Sequence, residues 1–406
     1  MLEKANNRPF YMWVIAAFFY LYELVLRVSP SVMTGELVDT FGGTSTILGL
    51  LVSFYYYAYT PLQIPCGLIL DRLGIRNLLG LSCLICAMGS ILFGATNNLH
   101  IAQFGRFLVG AGSACAFITC LQIASTFFDK KYFVLLAGIT NMMGTLGGLF
   151  GGMPVAKAVQ VWGWQKTTYG LAFGGLVLCI LTFFVFPRDT PKQKESSLIK
   201  DLLVIIKNQQ IILPGIIASF MYLPVSAFAE LWAVPYFKAK FALNDIIASS
   251  ASAATFVGVA IGSVLMACLA NKINSYTRTL KISIIFTILL FGLLLNISNF
   301  AISLFIVFLI GFFTGAQPIC FTCAKNKASP ELSGTTLAIT NCIVMLMGCI
   351  FQPLLGLLLD MFWTNKLSPQ GTRIYDVSCY NKAIVVIPIA LIVAYIVSLF
   401  MKEDEN

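Results

Sequence analysis

The sequence predicts an all-α membrane protein of twelve transmembrane helices, arranged as two pseudo-symmetric halves of six helices each. Three observations predict this fold class: hydrophobic residues make up 58% of the 406 residues, charged residues make up only 11%, and the apolar residues gather into twelve long segments. A soluble protein carries roughly 25% charged residues, so this chain cannot cover itself with a hydrated surface. Its mean hydropathy of +0.87 likewise indicates that lipid surrounds most of it.

Each apolar segment is long enough to cross a bilayer as a helix, since about 20 residues span a hydrocarbon core of roughly 30 Å. Strands of a membrane barrel would instead appear as alternating segments of about ten residues, and the sequence has no such pattern. The predicted segments are 10–34, 45–70, 77–95, 101–125, 134–155, 167–187, 209–235, 247–270, 280–297, 300–324, 333–360 and 383–401.

A polar stretch divides the segments into two sets of six. We therefore expect an N-terminal half over residues 1–187, a cytoplasmic linker over 188–208 and a C-terminal half over 209–406. A decayed internal repeat supports this division, because GLILDRLGIR at 67–76 has a counterpart, ACLANKIN, at 267–274. Parallel repeats of this kind place a substrate site near the bilayer midplane, between the halves.

Basic residues predict the orientation of the chain. Seventeen of the 26 lysines and arginines fall on the side of the N-terminus and seven on the other side, while Arg27 and Arg106 lie inside helices. Cytoplasmic loops carry such an excess, so we expect both termini in the cytoplasm and the protein in a bacterial inner (plasma) membrane. The same excess explains the net charge of +9, and we expect the lipid bilayer, not nucleic acid, as a partner.

Cysteine is frequent, with twelve residues, but the spacing does not indicate a metal site. Cys83 and Cys86 form one C-x-x-C pair, Cys320 and Cys323 another, and His100 is the only histidine. Metal sites usually need more ligands than such a pair supplies. We expect buried, free cysteines that pack as small hydrophobic residues, no disulfide framework, no metal and no cofactor.

A short loop carries a family resemblance. The stretch GLILDRLGIR resembles the G-x-x-x-D-R-x-G-x-R loop between the second and third helices of the major facilitator superfamily, and with twelve predicted spans the resemblance covers essentially the whole chain. It implies a rocker-switch transporter with one central cavity. The segment FYYYAYTPLQIPCGLILDRLG is further similar to bacterial relatives of the lysosomal dipeptide transporter branch. The residues that match the loop motif are Gly67, Asp71, Arg72, Gly74 and Arg76.

These five residues predict a conformational latch. Arg72 and Arg76 follow the end of a helix, where cations suit the carbonyl dipole. Asp71 can pair with a neighbouring cation or a helix N-terminus and so hold one conformation. A plain positive-inside loop is the alternative, but it explains only the arginines, not Asp71 or the glycine spacing.

Two further helices resemble family signatures. Arg106 within GRFLVGAG is similar to the fourth-helix signature R-x-x-x-G. The glycine-rich fifth helix, with Pro154 after it, resembles the antiporter signature only in part, because the paired Gly-Pro is absent. This departure disfavours a drug efflux antiporter, and close packing through small residues is sufficient to explain the glycines.

Four charges within predicted helices are candidates for the transport mechanism. A charge at the bilayer centre costs at least about 2.5–3.5 kcal/mol, so it usually has a function. Glu23 and Arg27 are four residues apart and can pair. In the family the first, fourth and seventh helices line the cavity, so these two residues, Arg106 and Glu230 can face one another. We expect Arg27 or Arg106 to bind a substrate carboxylate or phosphate, and Glu23 and Glu230 to couple protons. A purely structural ion-pair network is the alternative, and for Glu230 a charge at the rim.

Polar side chains on the predicted membrane helices favour a hydrophilic substrate. Each tyrosine taken singly is more often structural than a ligand contact, but the residues form a polar stripe as a set. With the two arginines, the predicted substrate-binding residues are Tyr56, Tyr59, Tyr222, Gln317 and Asn341.

The predicted function is secondary transport of a small polar or zwitterionic solute, such as an amino acid, short peptide or organic acid, coupled to protons in a monomer. Organophosphate or anion exchange is an alternative, although no arginine falls within the predicted segments of the second half. A membrane solute sensor is an alternative from another class, and it would usually add an output domain. The chain contains no nucleotide-binding P-loop and no nucleophile with a base, so we do not expect an enzyme.

Overall fold

The computed structural model describes residues 8–187, 198–329, 332–368 and 371–402. Within this part of the chain every predicted apolar segment coincides with a helix or a broken helix. We number these twelve helical spans in chain order. They are α1 (Arg8–Val32), α2 (Ser45–Leu62), α3 (Arg72–Ala95), α4 (Leu99–Phe127), α5 (Lys130–Gly151), α6 (Trp164–Val185), α7 (Gln209–Phe241), α8 (Asp245–Lys272), α9 (Tyr276–Asn296), α10 (Phe300–Asn326), α11 (Gly334–Met361) and α12 (Val377–Ser398).

The described part of the chain has ten helices that are long and apolar enough to cross a membrane on their own. The short helix Thr34–Phe41 together with α2 passes the same test as a pair bent by 106°, which makes eleven. Further short helices cover Met153–Trp162 and Leu198–Lys207. The predicted all-α membrane fold is confirmed.

Six spans are interrupted: α8 and α12 by a single residue each, and α1, α4, α7 and α10 by longer irregular segments. In α1 a 3-10 turn, Ser29–Val32, follows the regular helix because Pro30 cannot continue it. In α7 the segment Pro224–Trp232 is a π-helix, a rare form often found at functional sites. Breaks in α4 and α10 follow Ser113 and Thr314.

We call the side on which α1 begins the terminal face and the opposite side the distal face. Since consecutive spans alternate in direction, α2 and α12 begin at the distal face, and α7 and α11 begin at the terminal face. Helix α9 begins at Tyr276, earlier than the sequence predicts, so Arg278 lies in its first turn and is exposed at the terminal face.

The first six helices contact the last six chiefly where α2 packs on α11 and where α5 packs on α8. Glycine permits the closest approach between α2 and α11. A Cβ at Gly49 would lie 2.6 Å from the backbone oxygen of Gln352, and a Cβ at Gly356 would lie 2.2 Å from that of Ser45. Larger residues would separate these two helices.

Two features differ from the sequence expectation. The linker carries a helix at Leu198–Lys207, whose Ile205 is buried against Ala324 of α10 and Ile339 of α11, while residues 188–197 lie outside the described residues. The expectation of free cysteines throughout is wrong for one pair, because Cys66 and Cys115 form a disulfide. The two residues are 49 positions apart, and only the breaks that follow α2 and interrupt α4 bring them together.

Candidate functional site

Three charged side chains from α1 and α7 meet inside the protein. Glu23 and Glu230 are fully buried, and Arg27 is 3% exposed. Because an unpaired charge in such surroundings is strongly unfavourable, each must have partners of opposite sign or hydrogen-bonding groups. The alternative of a rim charge for Glu230 is excluded, because the residue lies in the π-helical segment of α7 and is fully buried.

Arg27 and Glu23 form the ion pair that their spacing on α1 predicts. Arg27 Nη2 lies 3.3 Å from both Glu23 oxygens. Tyr55 of α2 completes the arrangement: its hydroxyl accepts a hydrogen bond from Arg27 Nε at 3.2 Å and donates one to Glu23 Oε2 at 2.8 Å. The carboxylate and the guanidinium thus share one tyrosine.

Glu230 brings α7 into the same cluster. Its Oε1 atom lies 3.7 Å from Arg27 Nη1, and its Oε2 accepts a short hydrogen bond from the hydroxyl of Tyr56 on α2. Oε1 accepts no hydrogen bond from the described residues. One arginine therefore serves two carboxylates that come from opposite halves of the sequence, and α2 supplies a tyrosine to each carboxylate.

Three tyrosine rings surround the guanidinium of Arg27. Its Cζ atom lies 5.1 Å from the ring centroid of Tyr55, 5.8 Å from that of Tyr56 and 4.9 Å from that of Tyr59. These are cation–π distances, which are favourable within about 6 Å. Tyr55 and Tyr59 stack with centroids 5.3 Å apart, so the rings form a continuous aromatic wall on α2. We call these three tyrosines, with Glu23 and Glu230, the tyrosine cage.

Arg106 of α4 lies beside the cage but does not join the ion pairs. Its Nη1 donates to the carbonyl oxygen of Leu26 at 2.9 Å, and its Cζ lies 5.4 Å from the Tyr55 ring centroid. Its Nε and Nη2 atoms have no hydrogen-bond partner within the described residues. The guanidinium borders a small cavity between α1, α3, α4 and α6. Only three of the four predicted charges thus pair with one another.

The other predicted substrate-binding residues lie in different parts of the bundle. Tyr222 of α7 is half-buried and interacts electrostatically with Glu230. Asn341 of α11 donates through Nδ2 to Gln63 Oε1 at 3.0 Å, and Gln63 in turn donates to the carbonyl of Ala114 at 2.9 Å. Gln317 is buried in the break of α10, and no hydrogen bond within the described residues joins its side chain to the cage.

The predicted latch lies at the terminal face. Gly74 interrupts the helical backbone with φ of 74°, a conformation that glycine adopts without strain. Arg76 Nη2 donates to the carbonyl oxygen of Phe183 at 2.8 Å, which anchors the loop to α6, while Arg72 is exposed. The contacts of Gly67 and of the Asp71 side chain lie outside the described part of the structure.

Sequence reasoning missed a second contact between the halves, at the distal face. Asp360 at the end of α11 accepts hydrogen bonds from the backbone nitrogens of Ser45 (3.3 Å) and Thr46 (2.9 Å) in the first turn of α2. Its carboxylate also accepts hydrogen bonds from the hydroxyls of Thr46 and Tyr375 and pairs with Arg373 at 3.1 Å. We call these five residues the distal lock.

The distal lock joins a carboxylate to a helix N-terminus, where unpaired N–H groups and the helix dipole favour negative charge. Burial, with the hydrogen bond to Asp360, raises the pKa of Tyr375 to about 12, so this hydroxyl stays protonated at neutral pH. The signal in the sequence is slight: Asp360 is one acidic residue near the end of an apolar segment, and its partners are 13 to 315 positions away.

The fold and the buried cluster together define a polytopic membrane protein with charged groups at its centre. The chain belongs to the Major Facilitator Superfamily, whose sequence model matches residues 12–353. The resemblance seen in the loop motif is therefore confirmed, and the family consists of transporters, not enzymes. Transporters of this type bind small-molecule substrates and are usually monomeric.

Several characterised or named proteins are similar to the chain. The choline/ethanolamine transporter FLVCR1 of Felis catus is 25% identical over 403 residues, covering 89% of this chain and 70% of that protein. The probable sulfoacetate transporter SauU of Cupriavidus necator is 25% identical over 202 residues, covering 50% of this chain and 46% of that protein. The probable L-galactonate transporter of Escherichia coli is 26% identical over 160 residues, covering 39% of this chain and 35% of that protein. Two further relatives are an uncharacterised transporter of Bacillus subtilis and an uncharacterised protein of Campylobacter jejuni. In each of them the aligned region also covers less than half of the protein's length.

Solved structures show the same fold. A bacterial homologue of the human lysosomal transporter Spinster, in an inward-facing unoccupied conformation, matches with a TM-score of 0.81 at 14% identity, covering 98% of this chain and 97% of that chain. The nucleoside transporter NupG matches with a TM-score of 0.75 at 14% identity, covering 97% of this chain and 100% of that chain.

Proposed function

We propose that the protein is a secondary active transporter that moves a small polar or zwitterionic solute, such as an amino acid, short peptide or organic acid. In this proposal a bacterial inner membrane holds the protein with the terminal face towards the cytoplasm. The halves 1–187 and 209–406 rock about the central cage by alternating access, and protons enter in symport with the solute. The observation that carries the proposal is the buried cage, where one arginine serves two carboxylates from opposite halves.

A purely structural role explains this arrangement less well. A buried ion pair is weak support for stability, because the cost of desolvating its charges offsets most of the attraction. If this region only packed the helices together, apolar residues would be sufficient. Instead, polar side chains of α1, α2 and α7 all meet around Arg27. The relatives' printed names, which include choline, ethanolamine, sulfoacetate and galactonate, support a small organic solute.

Anion exchange has less support. Organophosphate exchangers of this fold tend to present an arginine from each half to the cavity. Here Arg27 and Arg106 both come from the first six helices, and the arginine of α9, Arg278, is exposed at the terminal face. The acidic residues Glu23 and Glu230 would also repel a multiply charged anion.

Proton coupling follows from the sharing of Arg27. If a substrate draws Arg27 away from Glu23, the carboxylate is left in an apolar interior and must take up a proton. Substrate binding and proton binding would then be linked through one side chain. Arg106, with two nitrogens that lack hydrogen bonds from the described residues, is a second candidate for binding a substrate carboxylate.

The test is Glu23→Gln in reconstituted liposomes. Glutamine mimics the protonated carboxyl, so the variant should still exchange substrate in counterflow. It should lose accumulation driven by an imposed pH gradient. Thermal-shift screening of the purified protein with amino acids, dipeptides, sugar phosphates and drugs would first supply a substrate for both assays.

Asp39→Asn is the matched control, since Asp39 is an exposed carboxylate on the short helix that follows α1. This variant should retain both counterflow and gradient-driven uptake. Gradient-driven uptake that survives in Glu23→Gln would move the proton site to Glu230 or indicate uniport. Loss of counterflow in every variant and in the wild type, after a ligand is found by thermal shift, would contradict transport itself.

A further inference from the structure

We propose that the tyrosine cage is a cation site and that Arg27 holds the place of the substrate's ammonium group. The proposal rests on the proposed transport function and specifies its substrate class: a small solute with a primary, methylated or quaternary ammonium group. Arg27 would leave the cage when the substrate's ammonium enters it.

The composition of the cage supports this class. Aromatic faces and carboxylates are the two groups that attract an organic cation, and the cage contains three rings and two carboxylates. Quaternary ammonium ligands are recognised by such aromatic groups in other proteins. The rings of Tyr55 and Tyr56 are fully buried and that of Tyr59 is 4% exposed, which strengthens the attraction by excluding water. Arg27 occupies the cage with its guanidinium 4.9–5.8 Å from the three ring centroids.

The charges suit a cation that takes the place of Arg27. Glu23 and Glu230 carry two negative charges against the single positive charge of Arg27 that pairs with them. Arg106 balances the total from a position where it contacts Leu26 and Tyr55 and pairs with neither glutamate among the described residues. Glu230 Oε1 accepts no hydrogen bond there and pairs with Arg27 Nη1 at 3.7 Å, so it becomes available to an ammonium when Arg27 leaves. A substrate carboxylate would add a negative charge to this set unless an ammonium came with it.

On the terminal side, two partly exposed tyrosines precede the charged residues of the cage. Tyr20 precedes Glu23 by about one turn of α1, and Tyr222 precedes Glu230 by about two turns of α7, so both lie nearer the terminal face. Both are half-buried, whereas the charged residues beyond them are buried. The distal lock closes the opposite side. An ammonium solute would therefore approach the cage past these two tyrosines.

Isosteric ligand pairs test the class without any mutation. Choline is compared with 3,3-dimethylbutan-1-ol, and glycine betaine with 3,3-dimethylbutanoate; each pair differs by nitrogen against carbon and so by one positive charge. Binding to the purified protein in lipid nanodiscs is measured by isothermal titration calorimetry. We expect at least one ammonium member to bind about tenfold more tightly than its carbon isostere. Equal affinities within both pairs, or no binding of either ammonium compound, would overturn the proposal.

Variants of α2 test whether the ammonium group binds in the tyrosine cage. Tyr59→Leu removes one ring of the cage and should weaken ammonium binding about tenfold while leaving the binding of the carbon isostere little changed. Tyr57→Leu is the matched control, because Tyr57 lies on the same helix but is 36% exposed and contacts Phe54, so affinity should stay at the wild-type level. Equal losses in both variants would overturn the location.

Arg27→Gln tests whether Arg27 occupies the substrate's place or binds the substrate. If Arg27 occupies the place of the ammonium group, the variant should bind choline more tightly. If Arg27 binds the substrate, the variant should bind choline more weakly. Unchanged or weaker choline binding would contradict the placeholder role, and the wild-type isostere comparison stands even if this variant does not fold. If ammonium solutes fail but another solute from the thermal-shift screen is transported, this inference fails and the proposed transport function stands.

Discussion

At the residue scale, the hydroxyl of Tyr56 stabilises the buried carboxylate of Glu230. Glu230 comes from the second half of the sequence and Tyr56 from the first, so their hydrogen bond joins two parts that alternating access would separate. Arg27 alone does not satisfy Glu230, because its nearest nitrogen is 3.7 Å from the carboxylate. The tyrosine therefore supplies the nearer contact.

We expect Tyr56→Phe to destabilise the protein by about 1–3 kcal/mol, because the ring remains while a buried carboxylate oxygen loses its donor. The measurement is thermal unfolding of the purified protein in nanodiscs. Tyr57→Phe removes a hydroxyl from a partly exposed position on the same helix and should leave the melting temperature unchanged. An equal melting temperature for Tyr56→Phe and wild type would contradict a stabilising hydrogen bond.

The Glu23–Arg27 ion pair could be predicted from sequence because residues four apart on a helix are neighbours in every helix. The contacts of Glu230 and Tyr56 could not, since they depend on how α7 packs against α2. The π-helical turn shifts the register of α7, so counting along a regular helix does not place Glu230 correctly. Arg106 illustrates the same limit: the sequence predicts that it faces the other charges, but the carbonyl of Leu26 binds it instead of a carboxylate.

At the element scale, the segment that carries the loop motif, between the end of α2 and the first turns of α3, is positioned by the kink at Gly74 and by the contact of Arg76 with α6. These contacts hold the loop to the first six helices and leave its acidic residue as the candidate for binding the other half. The motif could be recognised from sequence because glycine at a positive φ and charges at a helix end have local causes.

We expect Asp71→Asn to slow transport while the protein remains folded and inserted in the membrane. Asp71 lies in the helical segment Cys66–Ala95, on the terminal side and away from the cage, so it can affect the conformational equilibrium but not touch substrate. Equilibrium affinity should change only as far as the populations of the two conformations change. Uptake rates in liposomes, with affinity measured in parallel, check this; a wild-type rate would remove the latch hypothesis.

At the scale of the whole molecule, the structure is closed at the distal face. The distal lock fixes α11 to the first turn of α2, and Gly49 and Gly356 let the two helices approach closely near the same end. Opening this face for alternating access requires Asp360 to leave the N-terminus of α2. The fold could be predicted from hydropathy alone. Which face is closed could not be predicted, because it depends on contacts between residues that are more than 300 positions apart in the sequence.

We expect Asp360→Asn to shift the population towards the conformation open at the distal face. A charged partner at a helix N-terminus contributes about 1 kcal/mol, which corresponds to roughly a fivefold change in the ratio of the two conformations. In hydrogen–deuterium exchange, the backbone amides in the first turns of α2 should take up deuterium faster in this variant than in the wild type. Asp376→Asn is the control, because Asp376 pairs with Lys366 in the adjoining loop and does not contact α2. Equal exchange in both variants would contradict the lock.

The linker helix Leu198–Lys207 has a mechanical consequence. Because Ile205 packs against α10 and α11, this helix moves with the last six helices. The chain between α6 and this helix includes the ten residues 188–197. Since the linker helix moves with the last six helices, the packed surfaces of α2 with α11 and of α5 with α8 are the described contacts through which one half can displace the other.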